Sequence, residues 1–163
     1  MKSKNSKKKN NIIRKFEQPV FIPKTLYVCK YCTKEFMDKH FEYSDHSSIV
    51  EDNNDYYTAT TNYGVRDKAT GKYCIVVQLH ESVVDNIKND AEEVWSTCTH
   101  EAFHVADEIL RYCDVTLSDS SKETYAYMVG WAGVCIFKTV YDVKWSWMEC
   151  YPILRRFYSF KEA

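Results

Sequence analysis

Near the middle of the chain the sequence reads Cys98-Thr99-His100-Glu101-Ala102-Phe103-His104-Val105-Ala106-Asp107-Glu108, which contains the pattern His-Glu-x-x-His. On an α-helix, residues four apart leave the same face about 6 Å apart along the axis, so His100 and His104 can share one tetrahedral zinc ion. Glu101 is rotated off that line, where a carboxylate can take a proton from a zinc-bound water. The pattern predicts a Zn²⁺ site held by His100 and His104, with Glu101 as the general base.

The flanking sequence supports a helix around this motif. It has no glycine or proline, and Asn89 or Asp90 can cap its start, with acidic Glu92 and Glu93 in the first turn. We predict a helix over residues 90 to 112. The alternative is a helix that carries the histidines by chance, but two histidines and a glutamate beside an apolar stripe are costly to bury unpaired. The stripe consists of Ala91, Val94, Trp95, Cys98, Ala102, Val105, Ala106, Ile109 and Leu110.

Composition bounds the class of protein. A chain of 163 residues with 15% aromatic residues and only four glycines predicts one well-packed domain, which we place at residues 16–163. No run of 18 apolar residues is present and the N-terminus lacks the apolar part of a signal peptide, so we expect no membrane partner. The seven cysteines are odd in number and mostly embedded in apolar stretches. They predict free thiols in a reducing compartment such as the cytoplasm.

Residues 1–15 form a basic, low-complexity tail that we expect to be disordered. The alternative is an electrostatic arm for nucleic acid or another acidic surface. The net charge of the whole chain is −1, which argues against a nucleic-acid module beyond this tail.

The remaining elements predict an α+β fold, in which a small antiparallel sheet with a hairpin packs on a helical core. A turn at 67–71 ends in glycine and separates the two hairpin strands. In the second long helix, Gly130 and Gly133 should permit close packing on the first, and Tyr127 is placed on the apolar face. In chain order we predict a strand at 25–29, a short helix at 34–43, a surface loop at 45–55, hairpin strands at 57–66 and 72–79, a polar linker, and helices at 121–141 and 145–160.

Two further sites offer alternatives. The pair Cys29-x-x-Cys32 indicates zinc binding or redox chemistry in some proteins, but buried structural thiols are the favoured interpretation. His80, at the end of a strand, is more often a surface residue than a ligand.

A catalytic zinc usually has three protein ligands, so the motif needs one more. Glu123 is our choice, because it lies 19 residues after His104 on the first turn of the next helix. The alternative is a capping box, Ser120-x-x-Glu123, in which Glu123 bonds its own helix end. Asp107 and Glu108 are rivals, although a continuous helix carries them along the axis and away from the metal. Asp107 can instead orient a histidine.

The motif followed by Glu123-Thr124-Tyr125-Ala126-Tyr127 resembles the gluzincin branch of the zincin metallopeptidases, and the arrangement is similar to small zincin-like proteins encoded by tailed bacteriophages. The resemblance implies a zinc-dependent metallopeptidase acting on a peptide or protein substrate. His100, His104 and Glu123 would bind zinc, Glu101 would be the base, and strand 72–79 would be the sheet edge along which the substrate lies.

The residue that stabilises the oxyanion in larger members has no clear match, and Tyr125, Tyr127 and Arg111 are the candidates. The alternative function is an inactive zincin-fold protein with a structural or interaction role, such as a virion component. A fourth ligand such as His80 or a cysteine would close the site of such a protein.

Overall fold

The structure is a computed structural model that describes residues 9–18, 25–50 and 58–143. These residues have the predicted α+β class and form a five-stranded sheet and four α-helices. The predicted helix at 145–160, the first eight residues of the basic tail and residues 51–57 lie outside the described parts of the chain. The prediction of a disordered tail through residue 15 is wrong for its last residues, because Ile12–Glu17 form a strand that pairs with Thr25–Lys30. No helix in the described ranges is both long enough and apolar enough to cross a membrane.

The sheet is mixed, which corrects the prediction of an antiparallel sheet. Its spatial order is β1-β2-β5-β4-β3, and the central pair β2 and β5 is parallel while the other pairs are antiparallel. The parallel pair arises because the chain leaves β2, passes through a helix, β3 and β4, and returns beside β2 in the same direction. The strands are β1 (Ile12–Glu17), β2 (Thr25–Lys30), β3 (Phe41–Tyr43), β4 (Ala59–Asp67) and β5 (Tyr73–Leu79).

The predicted hairpin is confirmed as β4 and β5. Its turn places Gly71 at φ +69°, a left-handed conformation that glycine adopts without strain. The side chain of Asp67 organises this turn, accepting hydrogen bonds from the backbone N–H of Ala69 and from the hydroxyls of Thr70 and Tyr27. Partial burial raises the pKa of Asp67, but these hydrogen bonds to the carboxylate outweigh it and lower the pKa overall.

The long motif helix is also confirmed, running from Ala91 to Tyr112. Its cap is Asp90, whose carboxylate accepts from the backbone N–H of Glu93 at 2.9 Å. The helix predicted at 34–43 ends at His40, because the next three residues pair with β4 as β3. The predicted linker after β5 is helical. The helices are α1 (Lys34–His40), α2 (Glu81–Asp85, followed by a 3₁₀ turn at Asn86–Lys88), α3 (Ala91–Tyr112) and α4 (Lys122–Val140).

Helices α3 and α4 pack against each other in antiparallel directions. Near one end of the pair the rings of Trp95 and Phe137 lie 4.4 Å apart, centroid to centroid. Near the other end the hydroxyl of Tyr125 donates to Asp107 Oδ1 at 3.1 Å. Early residues of α3 therefore meet late residues of α4, and this register fixes which side chains of α4 can approach the motif.

The two glycines of α4 have different surroundings. A Cβ placed on Gly133 would lie 3.8 Å from Cβ of Ala102, an ordinary contact, whereas one placed on Gly130 would meet nothing within 4 Å. The prediction of close packing therefore holds for Gly133 and is wrong for Gly130. Tyr127, predicted to lie on the apolar face, is 79% exposed.

Buried side chains form two clusters, one on each face of the sheet. The larger lies between the sheet and helices α3 and α4. The smaller lies on the opposite face and includes Met37 of α1, Phe41 of β3, and Ile49 and Val50. The last two residues belong to the predicted surface loop, but their burial fixes the 44–50 segment against the sheet beside β4.

Candidate functional site

His100 and His104 converge on one point in front of α3. Their Nε2 atoms lie 3.0 Å apart, the ring centroids lie 4.7 Å apart, and both residues are exposed. Two imidazole nitrogens bound to one tetrahedral zinc at about 2.05 Å lie about 3.3 Å from each other. The pair therefore needs only a few tenths of an ångström of adjustment to hold a shared ion.

Glu101 occupies a different environment from its histidine neighbours. It is only 5% exposed, because one residue along a helix is a rotation of about 100° and turns its side chain towards the sheet. Its Oε2 accepts a hydrogen bond from the hydroxyl of Thr61 on β4 at 2.5 Å. A buried carboxylate is costly without such a partner. Thr61 therefore fixes the carboxylate beside the histidine pair.

These residues form one wall of an open cavity of about 500 Å³. A second wall comes from β3 and the segment after it, and β4 lies between the two. The hydroxyl of Tyr43 donates to Asn62 Oδ1 at 3.0 Å and ties the second wall to β4. The lining residues are Tyr43, Ser48, Ile49, Ala59, Thr60, Thr61, Asn62, Tyr63, His100, Glu101 and His104.

The sheet edge beside this cavity is β4 and not β5. Strand β5, predicted from 72–79 as the substrate edge, lies between β2 and β4 and has both sides paired, so that prediction is wrong. Strand β3 is short and covers only Val65–Asp67 of β4. Within the described residues no strand pairs with the outer side of Ala59–Asn62, which is the part of β4 that lines the cavity.

The ladder between β4 and β5 shows which backbone groups face outward. His80 N donates to Thr58 O at 3.0 Å, which makes Thr58 and His80 a hydrogen-bonded pair. Such pairs alternate along an antiparallel ladder, so Ala59 and Thr61 direct their N–H and C=O groups away from β5. No strand in the described ranges pairs with these groups, so an extended peptide at the cavity can reach them.

Glu123 is not brought to the histidine pair. Helix α4 contacts α3 on the side of Ala102. His100 and His104 are each two residues from Ala102, which corresponds to a rotation of about 200° around the helix, so both face away from α4. In addition, Tyr125 lies level with Asp107, which places Glu123 further along α3 than the motif. Among the described residues, no three of His, Cys, Asp or Glu are grouped so that they could hold a metal ion.

The capping-box alternative for Glu123 also finds no support. The N-cap of α4 is Ser121 and not Ser120, and the Ser121 side chain makes no capping bond to the helix. Its hydroxyl instead donates to Thr116 O at 2.5 Å. Glu123 is exposed on the first turn of α4.

The other candidates are engaged elsewhere. Asp107 accepts the Tyr125 hydroxyl rather than contacting a histidine, and burial together with this bond raises the pKa of Tyr125. The Nδ1 atom of His80 accepts from Ser82 N at 3.2 Å and caps α2.

The three predicted oxyanion-stabilising residues, Tyr125, Tyr127 and Arg111, do not line the cavity. Two other tyrosines, Tyr43 and Tyr63, do line it. Sequence reasoning did not single out Thr61 or Tyr63. The alternation of side chains along β4 could have identified Thr61, because it places Thr61 on the same face of the strand as buried Ala59.

Comparison of the chain with protein-family models, with curated proteins and with solved structures finds no match in any of the three. The resemblance to gluzincins therefore rests on the motif residues of α3.

Proposed function

We propose that the chain is a zinc-dependent metallopeptidase whose active site is the cavity beside β4. One observation carries this proposal: His100 and His104 bring their Nε2 atoms to 3.0 Å from each other next to the buried carboxylate of Glu101. Imidazole nitrogens are ligands that zinc prefers, and the spacing fits one shared ion. The exposed position of the pair leaves room for a water molecule and a substrate.

Each residue of the site has a separate role in the proposed peptide hydrolysis. When bound, zinc supplies a Lewis acid that polarises the scissile carbonyl and makes a water molecule acidic near neutral pH. Glu101 accepts the proton of the attacking water and passes it to the leaving amine. Thr61 holds the Glu101 carboxylate in position. The outward backbone groups of Ala59 and Thr61 align an extended peptide along β4.

Zinc binding is the first test, measured as the metal content of purified protein after equilibrium dialysis. We expect about one zinc per chain, lost in His104→Ala and retained in the control His80→Ala, which changes a histidine that caps α2. Zinc retained in His104→Ala would refute the site. Glu123→Ala decides the third ligand: loss of zinc would mean that Glu123 reaches the pair in the bound state, and retention would leave the histidines as the protein ligands.

Hydrolysis is the second test. With fluorescein-labelled casein as substrate, Glu101→Gln should keep zinc and lower turnover by about 10² to 10⁴, the usual contribution of a general base. Glu92→Gln, an exposed carboxylate on the same helix, should leave turnover unchanged. Full activity in Glu101→Gln would reject the assigned mechanism.

A non-catalytic metal-binding protein is the second candidate. It is favoured by the missing third ligand among the residues that the structure describes. In that case zinc would raise the melting temperature of the wild type and of Glu101→Gln equally, and neither protein would cleave casein.

A further inference from the structure

The Cys29-x-x-Cys32 pair lies far along the chain from the motif and plays no part in the proposed hydrolysis. Cys29 is near the end of β2, and Cys32 immediately precedes Thr33, the N-cap of α1. Between them the chain turns at Tyr31, which has φ +57°. The strand-to-helix turn therefore returns Cys32 to the side of Cys29.

The two cysteines pack in the same apolar cluster but differ in access. Cys29 is fully buried in the cluster beneath α1, whereas Cys32 is partly exposed. The Cys32 thiol donates to Ile12 O at 3.4 Å and to Lys30 O at 3.5 Å. An incoming reagent can thus reach the sulfur of Cys32 more readily than that of Cys29.

The turn that carries the pair is held firmly. Lys30, between the cysteines, is 1% exposed and its Nζ donates to Val140 O at 3.2 Å and to Asp142 at 2.8 Å. This anchor joins the turn to the end of α4. A disulfide between the two cysteines requires their sulfur atoms to lie about 2.05 Å apart.

We propose that Cys29 and Cys32 form a thiol–disulfide exchange site whose substrate class is small disulfides such as oxidised glutathione. The Cys32 thiolate attacks one sulfur of the disulfide, and the first glutathione leaves as a thiolate. Cys29 then loses its proton and attacks the Cys32 sulfur, and the second glutathione leaves. The dithiol is oxidised by two electrons, the glutathione disulfide is reduced to two thiols, and the protons released by the cysteines are taken up by the products.

The electrostatics agree with these roles. Interaction with the Cys29 thiol lowers the pKa of Cys32, and the same interaction together with burial raises the pKa of Cys29. Burial raises the pKa of Cys74, Cys98 and Cys135 to about 12, so these thiols stay protonated and unreactive.

The test treats the full chain with oxidised glutathione at pH 7, quenches with acid, alkylates the remaining thiols and maps the peptides by mass spectrometry. We expect a disulfide joining Cys29 and Cys32, formed about tenfold faster than glutathione adds to Cys113, the matched control because it is also a partly buried free thiol. In Cys29→Ala, glutathione should remain attached to Cys32.

Two results would overturn the proposal. One is a glutathione adduct that persists on Cys32 in the wild type, and the other is reaction of Cys32 no faster than Cys113. Both results are measured on the wild type, so they test the proposed exchange site even if Cys29→Ala fails to fold. Cys32→Ala, at a partly exposed position, should leave Cys29 unmodified, and oxidation of Cys29 in that variant would also contradict the proposed order of attack.

Discussion

Replacing Thr61 by valine should destabilise the fold by about 1.5 to 3 kcal/mol. The substitution keeps the shape of the side chain, so no cavity term is added, but it removes the hydroxyl that donates to Glu101 at 2.5 Å. A hydrogen bond to a charged group contributes about 1.5 to 3 kcal/mol when its loss leaves the partner buried. Glu101 is 5% exposed, so bulk water cannot fully replace the lost donor.

The measurement is urea unfolding followed by circular dichroism, with Thr60→Val as the control. Thr60 is the neighbouring residue on β4, faces the other side of the sheet, and its hydroxyl only accepts a 3.4 Å bond from Asn62. Its substitution should change the free energy of unfolding by less than about 1 kcal/mol. Equal costs for Thr61→Val and Thr60→Val would refute the assigned role of the bond.

A double-mutant cycle separates this bond from other effects at the same position. In a Glu101→Met background no carboxylate remains to be satisfied, so Thr61→Val should cost much less than it does in the wild type. If Thr61→Val costs the same in both backgrounds, the energy does not come from the Thr61–Glu101 pair. Where hydrolysis is measurable, Thr61→Val should lower kcat more than it raises KM, and Thr61→Ser should restore kcat because it keeps the hydroxyl.

Three further predictions concern the scaffold and use urea unfolding. Gly130→Ala and Gly133→Ala should each stabilise the protein by about 0.5 to 1 kcal/mol, because alanine favours the helix and neither new Cβ clashes; destabilisation by Gly133→Ala would show that the helices cannot accept it. Tyr125→Phe should cost about 1 to 2 kcal/mol through loss of the buried hydroxyl's bond to Asp107, and no cost would contradict that bond. The pKa of Asp67 is lowered on folding, so its carboxylate stabilises the fold above its ordinary pKa of about 4, and this contribution is lost as the pH falls through the lowered pKa. Asp67→Asn should therefore lower the free energy of unfolding by about 1 kcal/mol at pH 7 and by less below about pH 4. A cost that does not change with pH would contradict this role of Asp67.

The sequence predicted best those elements that carry a long local signal. Helix α3 has a 22-residue apolar periodicity with an acidic first turn, and the β4–β5 hairpin has two β-rich runs around a glycine turn. Both signals lie within contiguous residues. Strand β3 has only three residues and directly follows a helix, so no local pattern separates it from α1.

Sheet order depends on contacts between distant residues and was therefore harder to predict. Leu26 of β2 lies opposite Ile75 of β5, almost fifty residues later, in a parallel pairing. Buried parallel strands are apolar on both faces, and β5 does contain the uninterrupted run 74–77. That run indicated an interior strand, and it contradicts the expectation of a substrate edge at 72–79.

The motif placed three site residues correctly with respect to one another, because the geometry of a single helix relates them. His100, Glu101 and His104 need only the rotation of 100° per residue. Glu123 lies on another helix, and the sequence does not state on which side of α3 that helix packs. The small residue Ala102 indicates the side on which α4 packs, since it permits close approach of α4 on the face of α3 opposite the histidines.

The surroundings of Glu101 favour hydrolysis over a purely structural metal site. A structural zinc site is closed by four protein ligands, whereas these two histidines are exposed at the mouth of a cavity of about 500 Å³. A structural role would also give no reason to bury a carboxylate beside them, because an apolar side chain fills such a position at lower cost. The chain instead keeps Glu101 buried and supplies a hydroxyl from a neighbouring strand to hold it. A buried carboxylate held beside two convergent histidines, along a strand edge that no described strand covers, is the arrangement that the proposed hydrolysis of an extended peptide requires.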